Sequence, residues 1–267
     1  MTQPRVEMEA SLEKKKEELF FSLDELAPLV DSTKIPKHIA IIMDGNRRWA
    51  RQRELPPMMG HWEGAEVLTD IVRFAAYLGV KTLTVYAFST ENWGRPEIEV
   101  EALMNIFEVY LKGKQEQMIH DGIRLDAIGD IAKLPSKVQE AFYETKKATE
   151  KCDKINLVLA MNYGARDEIR RAFLKIFEQH EKKKLLPGEL TEDLISSYLD
   201  TKLWGDPDLL IRTSGELRMS NFLLWQMSYA EIYITEVLWP DFCPKELLQA
   251  ILAYQKRNRR IGKGEVS

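Results

Sequence analysis

The sequence predicts an α/β fold in which a mainly parallel six-stranded sheet is flanked by helices. Three observations carry that prediction. From His38 onward short apolar runs alternate with stretches of helical periodicity, the order that builds a parallel sheet with helices packed on its faces. Several of the runs, 39–43 and 155–160 among them, are almost continuously apolar instead of alternating, as strands covered on both faces require. The residues that follow the runs are polar and charged, and a parallel sheet presents its ligands at the carboxyl ends of its strands.

Taken in order, residues 1–34 read as an N-terminal helical appendage and 35–267 as a single domain. In the appendage, 11–21 is charged and helix-favouring, and Ser22-Leu-Asp-Glu25 is a capping box opening a second short helix that would bury Leu23, Leu26 and Val30. The charge run 13–18 suits a solvated helix face. Pro36 breaks the run before the first strand. Strands are expected at 39–43, 82–88, 123–128, 155–160, 208–211 and 232–237, and helices at 63–78, 97–119, 136–151, 166–180, 191–203 and 244–260, with 181–188 a surface loop. In the helix after Pro96, Val100, Leu103, Met104, Phe107 and Leu111 form one apolar face, and Ala102, Ile106 and Val109 extend it sideways. The helix before it offers Val67, Leu68, Ile71, Phe74, Ala75 and Leu78. Such faces suit either a thick core or an apolar cavity for a greasy ligand, and periodicity does not separate the two.

Composition narrows the function classes. Apolar residues make up 45% of the 267 and the net charge is −4, so bulk electrostatics gives no reason to expect a nucleic-acid partner and any anion site must be local. Two cysteines, Cys152 and Cys243, are too few for a disulfide framework or a thiolate cluster and fit a reducing cytoplasm. No apolar stretch approaches the ~18 residues of a membrane span. P-loop, dinucleotide-fold and nucleophile-elbow glycine patterns are missing, and His38, His61, His120 and His180 lack zinc-ligand spacing.

The strand ends carry the chemistry. The first is followed by Asp44, Gly45, Asn46, Arg47, Arg48 and Trp49, and the second by Ser89, Thr90, Glu91, Asn92, Trp93, Gly94 and Arg95. The third gives Gly129-Asp130, the fourth Asn162-Tyr-Gly164, and the fifth Arg212-Thr-Ser-Gly-Glu-Leu-Arg-Met-Ser-Asn221. On one rim Arg48, Arg95, Arg212 and Arg218 would repel one another unless an anion neutralised them, and guanidinium forks match phosphate oxygens. A central acid, Asp44, suits Mg²⁺, which takes most of its ligands from diphosphate and water. Above an apolar cavity, such a rim describes a site for a prenyl diphosphate. His61, just downstream of the Asp44 loop, is the histidine placed to join it.

Several long segments are recognisable together. Ile39-Ala-Ile-Ile-Met-Asp-Gly-Asn-Arg-Arg-Trp-Ala50, Gly60-His61, Tyr86-Ala-Phe-Ser-Thr-Glu-Asn-Trp-Gly-Arg-Pro96, Ile211-Arg-Thr-Ser-Gly-Glu216, Arg218-Met-Ser-Asn-Phe-Leu-Leu-Trp-Gln226, Tyr229-Ala-Glu231 and Trp239-Pro-Asp241 resemble the cis-prenyltransferases, the bacterial undecaprenyl diphosphate synthases most nearly. The resemblance runs in order from His38 to Gly262. It implies Mg²⁺-dependent, repeated cis-condensation of isopentenyl diphosphate onto farnesyl diphosphate, with undecaprenyl diphosphate as product, and an apolar tunnel between sheet and helices. A medium- or short-chain synthase and a non-catalytic subunit of a heteromeric synthase are the alternatives. The paired Asp-Asp motifs of the trans-prenyltransferases are absent.

Carried over by position, the resemblance makes Asp44 the catalytic aspartate and a Mg²⁺ ligand. Gly45, Asn46, Arg47, Arg48 and Trp49 become a loop around the allylic diphosphate, with His61 assisting. Ser89, Thr90 and Glu91 shape the neighbouring loop, completed by Trp93 and Arg95. Asn92 matches the position tied to loss of the isopentenyl proton; an amide is a poor base, so Asn92 would orient a water or diphosphate oxygen. Arg212, Arg218, Met219 and Ser220 match the isopentenyl diphosphate pocket, and Glu231 the second metal acid. The family is homodimeric, Arg260-Ile-Gly262 resembles its C-terminal segment that reaches the partner's site, and a cytoplasmic enzyme with transient contact at the inner membrane face is implied. Two positions depart from the pattern. Arg47 stands where many members have glycine, and Pro57 stands where a basic residue is usual, which predicts weaker binding of the allylic substrate.

Overall fold

The computed structural model describes residues 27–257. The first expected N-terminal helix, the capping box Ser22–Glu25, the charge run 13–18 and the Arg260-Ile-Gly262 segment lie outside the described residues. Of the second expected helix the described part is a single 3₁₀ turn, Ala27–Leu29.

Six strands form one sheet: β1 (His38–Ile42), β2 (Thr82–Ser89), β3 (Ile123–Ile128), β4 (Ile155–Tyr163), β5 (Leu209–Arg212) and β6 (Glu231–Ile234), in the order β3-β4-β2-β1-β5-β6. Every neighbouring pair is parallel. Seven α-helices occur among the described residues: α1 (Asn46–Gln52), α2 (Pro57–Leu78), α3 (Glu97–Asp121), α4 (Ser136–Ala148), α5 (Ala165–Glu181), α6 (Glu192–Tyr198) and α7 (Pro244–Gln255).

β1 sits centrally with all five residues buried. Its side chains alternate between two cores: Ile39 and Ile41 enter the larger one, with residues of α2, α3, α4 and α7, and Ala40 and Ile42 the smaller one, with Tyr163, Ala165, Phe222 and Leu223. This is the two-sided burial that a near-continuous apolar strand implies. After β1 the chain moves to β2 on one side, and after β5 to β6 on the other. The boundary between β1 and β5 is therefore the topological switch point, where open α/β sheets bind ligands beyond their strand ends.

Several boundaries differ from expectation: β4 runs on to Tyr163, past residue 160, and α4 stops at Ala148, before residue 151. Residues 46–52, expected as a loop, form α1, with Gly45 in the left-handed conformation at its N-cap (φ 111°). α2 begins at Pro57 instead of residue 63, because proline at the first helical position has its φ preset and needs no donor there. α6 stops at Tyr198, well short of residue 203; the backbone N–H of Asp200 donates instead to buried Glu168 Oε1 at 2.8 Å. β6 ends at Ile234, before residue 237. Cys152 and Cys243 are free, half-buried thiols.

Candidate active site

The site is built on the switch point. Asp44 follows β1, and its backbone is fixed by Thr213 after β5: the Thr213 hydroxyl accepts from Asp44 N at 2.9 Å and donates to Asp44 O at 2.6 Å. Arg212, only 2% exposed, donates from Nη2 to Asp44 Oδ2 at 2.8 Å and from Nη1 to Ser220 Oγ at 2.9 Å and the Arg218 carbonyl. It is a strut joining the aspartate to the 213–227 loop. Arg218 reaches the same carboxylate oxygen at 3.9 Å and pairs with Glu216. Arg48 donates to Ser214 O at 3.0 Å and to Glu216 Oε1 at 2.8 Å. Across the site Arg95 donates to Glu99 Oε1 at 2.9 Å, and Arg47 lies 3.6 Å from Glu99 Oε2.

The arginines therefore do not wait for an anion to neutralise them. Asp44, Glu99 and Glu216 already separate five guanidinium groups, which corrects the expectation that the rim would be self-repelling without a ligand. Five positive charges against three negative ones still leave the rim cationic. Hydrogen bonds from Arg48 and Arg218 hold the Glu216 carboxyl below its ordinary pKa.

Met43, Asp44, Gly45, Asn46, Arg47, Arg48, His61 and Arg95, with Arg51, Glu54, Leu55 and Pro57, line a polar pocket of about 580 Å³. A second, largely apolar cavity of about 70 Å³ shares Met43, Asn46 and His61 with it and continues between Leu68, Leu103, Phe107, Tyr110 and Trp239. His61 sits at this junction. Burial, and then the nearby Arg95, push its pKa down to about 4, so it is a neutral imidazole at neutral pH, with Nε2 buried and unpaired among the described residues.

The second group of expected residues forms a shelf beside the first. Ser89 N donates to Asn92 Oδ1 at 3.1 Å within a capping box on the 3₁₀ turn Thr90–Gly94. Asn92's oxygen thus accepts from the backbone, and its amide N–H₂ end makes no hydrogen bond among the described residues and offers donors to a ligand. The Thr90 hydroxyl donates to Glu91, and Asn221 Nδ2 donates to Glu91 Oε1 at 2.8 Å, tying this turn to the loop that bears Arg218, Met219 and Ser220. Met219 packs on the smaller core. Trp93 donates to Asn162 Oδ1 at 2.8 Å and meets Phe88 edge-on.

Two expected residues fall elsewhere. Trp49 does not line the polar pocket; it turns to Asp241, donating at 2.9 Å, with the Arg53 guanidinium over its ring. Glu231 opens β6, level with Ile39 across Leu209, whereas Asp44 lies beyond Ile42. At ~3.3 Å per residue the two acids, five residues apart in register, are separated by roughly 16 Å along the strands, and Glu231 pairs with Arg257. One chain therefore does not bring them to one ion, and no cluster of three or more metal-binding side chains occurs among the described residues. Sequence reading missed Glu99, Glu216 and Thr213 as parts of the site: an acid in the first turn of a helix, and an acid and a threonine in a loop, are ordinary there and carry no periodic signal.

The chain that carries this guanidinium-lined pocket is similar in sequence and fold to known proteins. A family model described as putative undecaprenyl diphosphate synthase matches residues 42–262. An isoprenyl transferase of Chlamydia trachomatis is 47% identical over 239 residues, covering 88% of this chain and 94% of that protein. One of Geobacillus kaustophilus is 48% identical, covering 85% and 89%. Among solved structures, lavandulyl diphosphate synthase from Lavandula x intermedia in complex with dimethylallyl diphosphate matches with TM-score 0.84 and 36% identity, over 86% of this chain and all of that one. A probable undecaprenyl diphosphate synthase of Campylobacter jejuni matches with TM-score 0.72 and 36% identity, over 85% and 99%. The chain belongs to the undecaprenyl diphosphate synthase family of cis-prenyltransferases and is a prenyltransferase.

Proposed function

We propose that the protein condenses isopentenyl diphosphate repeatedly onto farnesyl diphosphate with cis geometry, releasing pyrophosphate and ending at undecaprenyl diphosphate, the precursor of a cell-wall lipid carrier. The observation that carries this reading is the placement of Asp44. It stands at the switch point, bonded to a buried arginine, on the wall of a polar pocket whose other residues, Met43, Asn46 and His61, open onto the apolar cavity.

Farnesyl diphosphate would lie with its diphosphate among Arg47, Arg48, Arg95 and the Gly45–Asn46 backbone, and its chain directed past His61 into the cavity. Ionisation of the allylic carbon–oxygen bond puts charge on the departing pyrophosphate, which preorganised guanidinium donors stabilise. The neutral His61 offers a hydrogen bond without adding charge to the cavity mouth. Isopentenyl diphosphate would occupy the shelf of Arg212, Arg218 and Ser220. Asn92, through its amide N–H₂, would hold a diphosphate oxygen in position to take the isopentenyl proton once the new carbon–carbon bond has formed. The donor set suits Mg²⁺: Asp44 presents one partly exposed carboxylate with Oδ1 unpaired among the described residues, and this ion takes one or two carboxylates and fills its shell from phosphate and water. When bound there, Mg²⁺ would add positive charge at the leaving pyrophosphate.

The narrowness of the cavity favours a second reading, a synthase of shorter chains, because a long product requires α2 and α3 to part around Leu68, Phe107 and Tyr110. A homodimer acting in the cytoplasm, with brief contact at the membrane as an insoluble product leaves, completes the leading reading. No described helix is long and apolar enough to cross a membrane.

The test is incubation of purified protein with farnesyl diphosphate, radiolabelled isopentenyl diphosphate and Mg²⁺, with products resolved by length. A ladder ending at eleven isoprene units supports the leading reading, a short ladder supports the second, and no incorporation points to a non-catalytic subunit. Asp44→Ala is expected to remain folded and to lose about a thousandfold or more in turnover; near-wild-type turnover would take Asp44 out of the mechanism.

A further inference from the structure

One acid at the rim has no part in the steps above. Glu99 lies in the first turn of α3 with its side chain 12% exposed, and its two oxygens serve different arginines. The pairs are unequal. Arg95, four residues earlier at the end of the Thr90–Gly94 turn and 30% exposed, is hydrogen-bonded at 2.9 Å. Arg47 is 60% exposed and sits at 3.6 Å, beyond a good hydrogen bond. Arg47 comes from α1 after β1 and Arg95 follows β2, so Glu99 links two arginines that line the polar pocket from different strand ends. On the wall supplied by the start of α2 stands Pro57, which offers an incoming anion neither charge nor N–H.

We propose that Glu99 is a positioning residue for the diphosphate: its tight pair fixes Arg95, and its loose pair parks Arg47 until a phosphate takes the carboxylate's place. This rests on the prenyl diphosphate reading of the same pocket. The pair is loose and its arginine half is solvent-exposed, so it contributes little and is opened at little cost. A diphosphate carries more charge and more acceptor oxygens than one carboxylate, and guanidinium–phosphate pairs are strong bidentate ones. The exchange therefore favours diphosphate, while a singly charged carboxylate gains too little to displace Glu99. The device also keeps the pocket from being an indiscriminate anion trap, because an unoccupied Arg47 is already answered.

The experiment uses the full chain and needs no turnover: calorimetric titration with inorganic diphosphate at fixed Mg²⁺. Glu99→Gln removes the competing charge and is expected to tighten diphosphate binding by about three- to tenfold, a range set by the modest worth of an exposed pair. In an Arg47→Met background the same change is expected to tighten it by less than about twofold, since the parked group is gone. In the condensation assay Glu99→Gln is expected to lower kcat by about tenfold, because Arg95 has lost its anchor, with KM for isopentenyl diphosphate unchanged. Glu99→Asp keeps the net charge but shortens the reach by one methylene; it is expected to free Arg47 and tighten diphosphate binding by a smaller factor. Equal diphosphate affinity in wild type, Glu99→Gln and Glu99→Asp, or equal tightening with and without Arg47, would overturn the proposal. A wild-type protein that binds diphosphate yet incorporates no isopentenyl unit would count against the prenyltransfer reading while leaving the role of Glu99 to be judged by the titrations.

Discussion

Pro57 shows how much one side chain can set. It lines the polar pocket at the first position of α2, directly after Pro56 at the N-cap. The first helical N–H has no intrahelical acceptor, so replacing this proline adds a donor without breaking a helix bond. Pro57→Arg is therefore expected to fold and to place a guanidinium on the wall that lacks one. The expected result is a fall of about three- to tenfold in KM for the allylic substrate, the worth of one charge-assisted contact partly screened by water, with KM for isopentenyl diphosphate unmoved. Steady-state kinetics with each substrate varied in turn checks it, and an unchanged allylic KM would mean that position 57 does not face the diphosphate. At this scale Asp44, Arg48, Arg95 and Arg212 were legible in the sequence because polar residues ending an apolar strand have a predictable place on the sheet. Glu99 and Glu216 were not, because their importance lies in which arginines they meet, and those come from other strand ends.

Among elements, α1 is the one that periodicity could not find. Its seven residues make barely two turns, too short for an apolar stripe to register, and only Ala50 is buried along it. What specifies it is its neighbour. A Cβ on Gly60 of α2 would stand 2.0 Å from the Asn46 carbonyl oxygen, and one on Gly64 2.6 Å from Asn46 Oδ1 and 2.7 Å from Trp239. These two glycines, four residues apart on one helix face, let the start of α1 lie directly on α2 and so hold Asn46 and Arg47 beside Asp44. Gly60→Ala is expected to push α1 outward, at a cost of roughly 1–3 kcal/mol for overpacking against backbone, and to lower kcat/KM at least tenfold while far-ultraviolet dichroism keeps its helical shape. Gly113 in α3 gives the contrast: a Cβ there meets nothing within 4 Å, so Gly113→Ala is expected to raise stability by about 0.5–1 kcal/mol through helix propensity without a kinetic effect. Denaturant titration and kinetics on both variants separate local crowding from a general intolerance of these helices to substitution. The long helices α2 to α5 and all six strands were readable because each shows enough periods of its pattern. Their ends were not, since a proline start or a carboxylate capturing a backbone N–H, as Glu168 captures that of Asp200, is a local accident of sequence.

For the whole molecule, the parallel sheet was visible in the alternation of runs, but its strand order was not, and the order is what puts β1 beside β5 and Asp44 beside Arg212. The same packing buries His38 and partly buries His61, which the sequence could only list. His38, 2% exposed, donates from Nδ1 to the Gly205 carbonyl at 3.0 Å and accepts at Nε2 from the Thr84 hydroxyl at 2.8 Å; burial pushes its pKa down to about 4. His61 is pushed to about 4 as well, by burial first and Arg95 next. Both fold as neutral groups. Between pH 6.5 and 4 the unfolded chain therefore binds protons at these positions that the folded chain refuses, so stability rises with pH through that window and levels off above it. The linkage is about 2 kcal/mol per histidine between pH 7 and 5, or about 4 kcal/mol together, at 1.36 kcal/mol per unit of differential shift. Glu216, held low by Arg48 and Arg218, loses its contribution only below the ordinary carboxylate range. Glu168, raised by burial, opposes the trend, since its folded-state proton is lost as pH rises. Urea midpoints measured at pH 7 and pH 5 are expected to fall at the lower pH, and the His38→Gln/His61→Gln double variant to show a flatter profile between them. If the double variant keeps the wild-type slope, protonation of other groups controls acid sensitivity, and neither imidazole is buried in the folded protein as described.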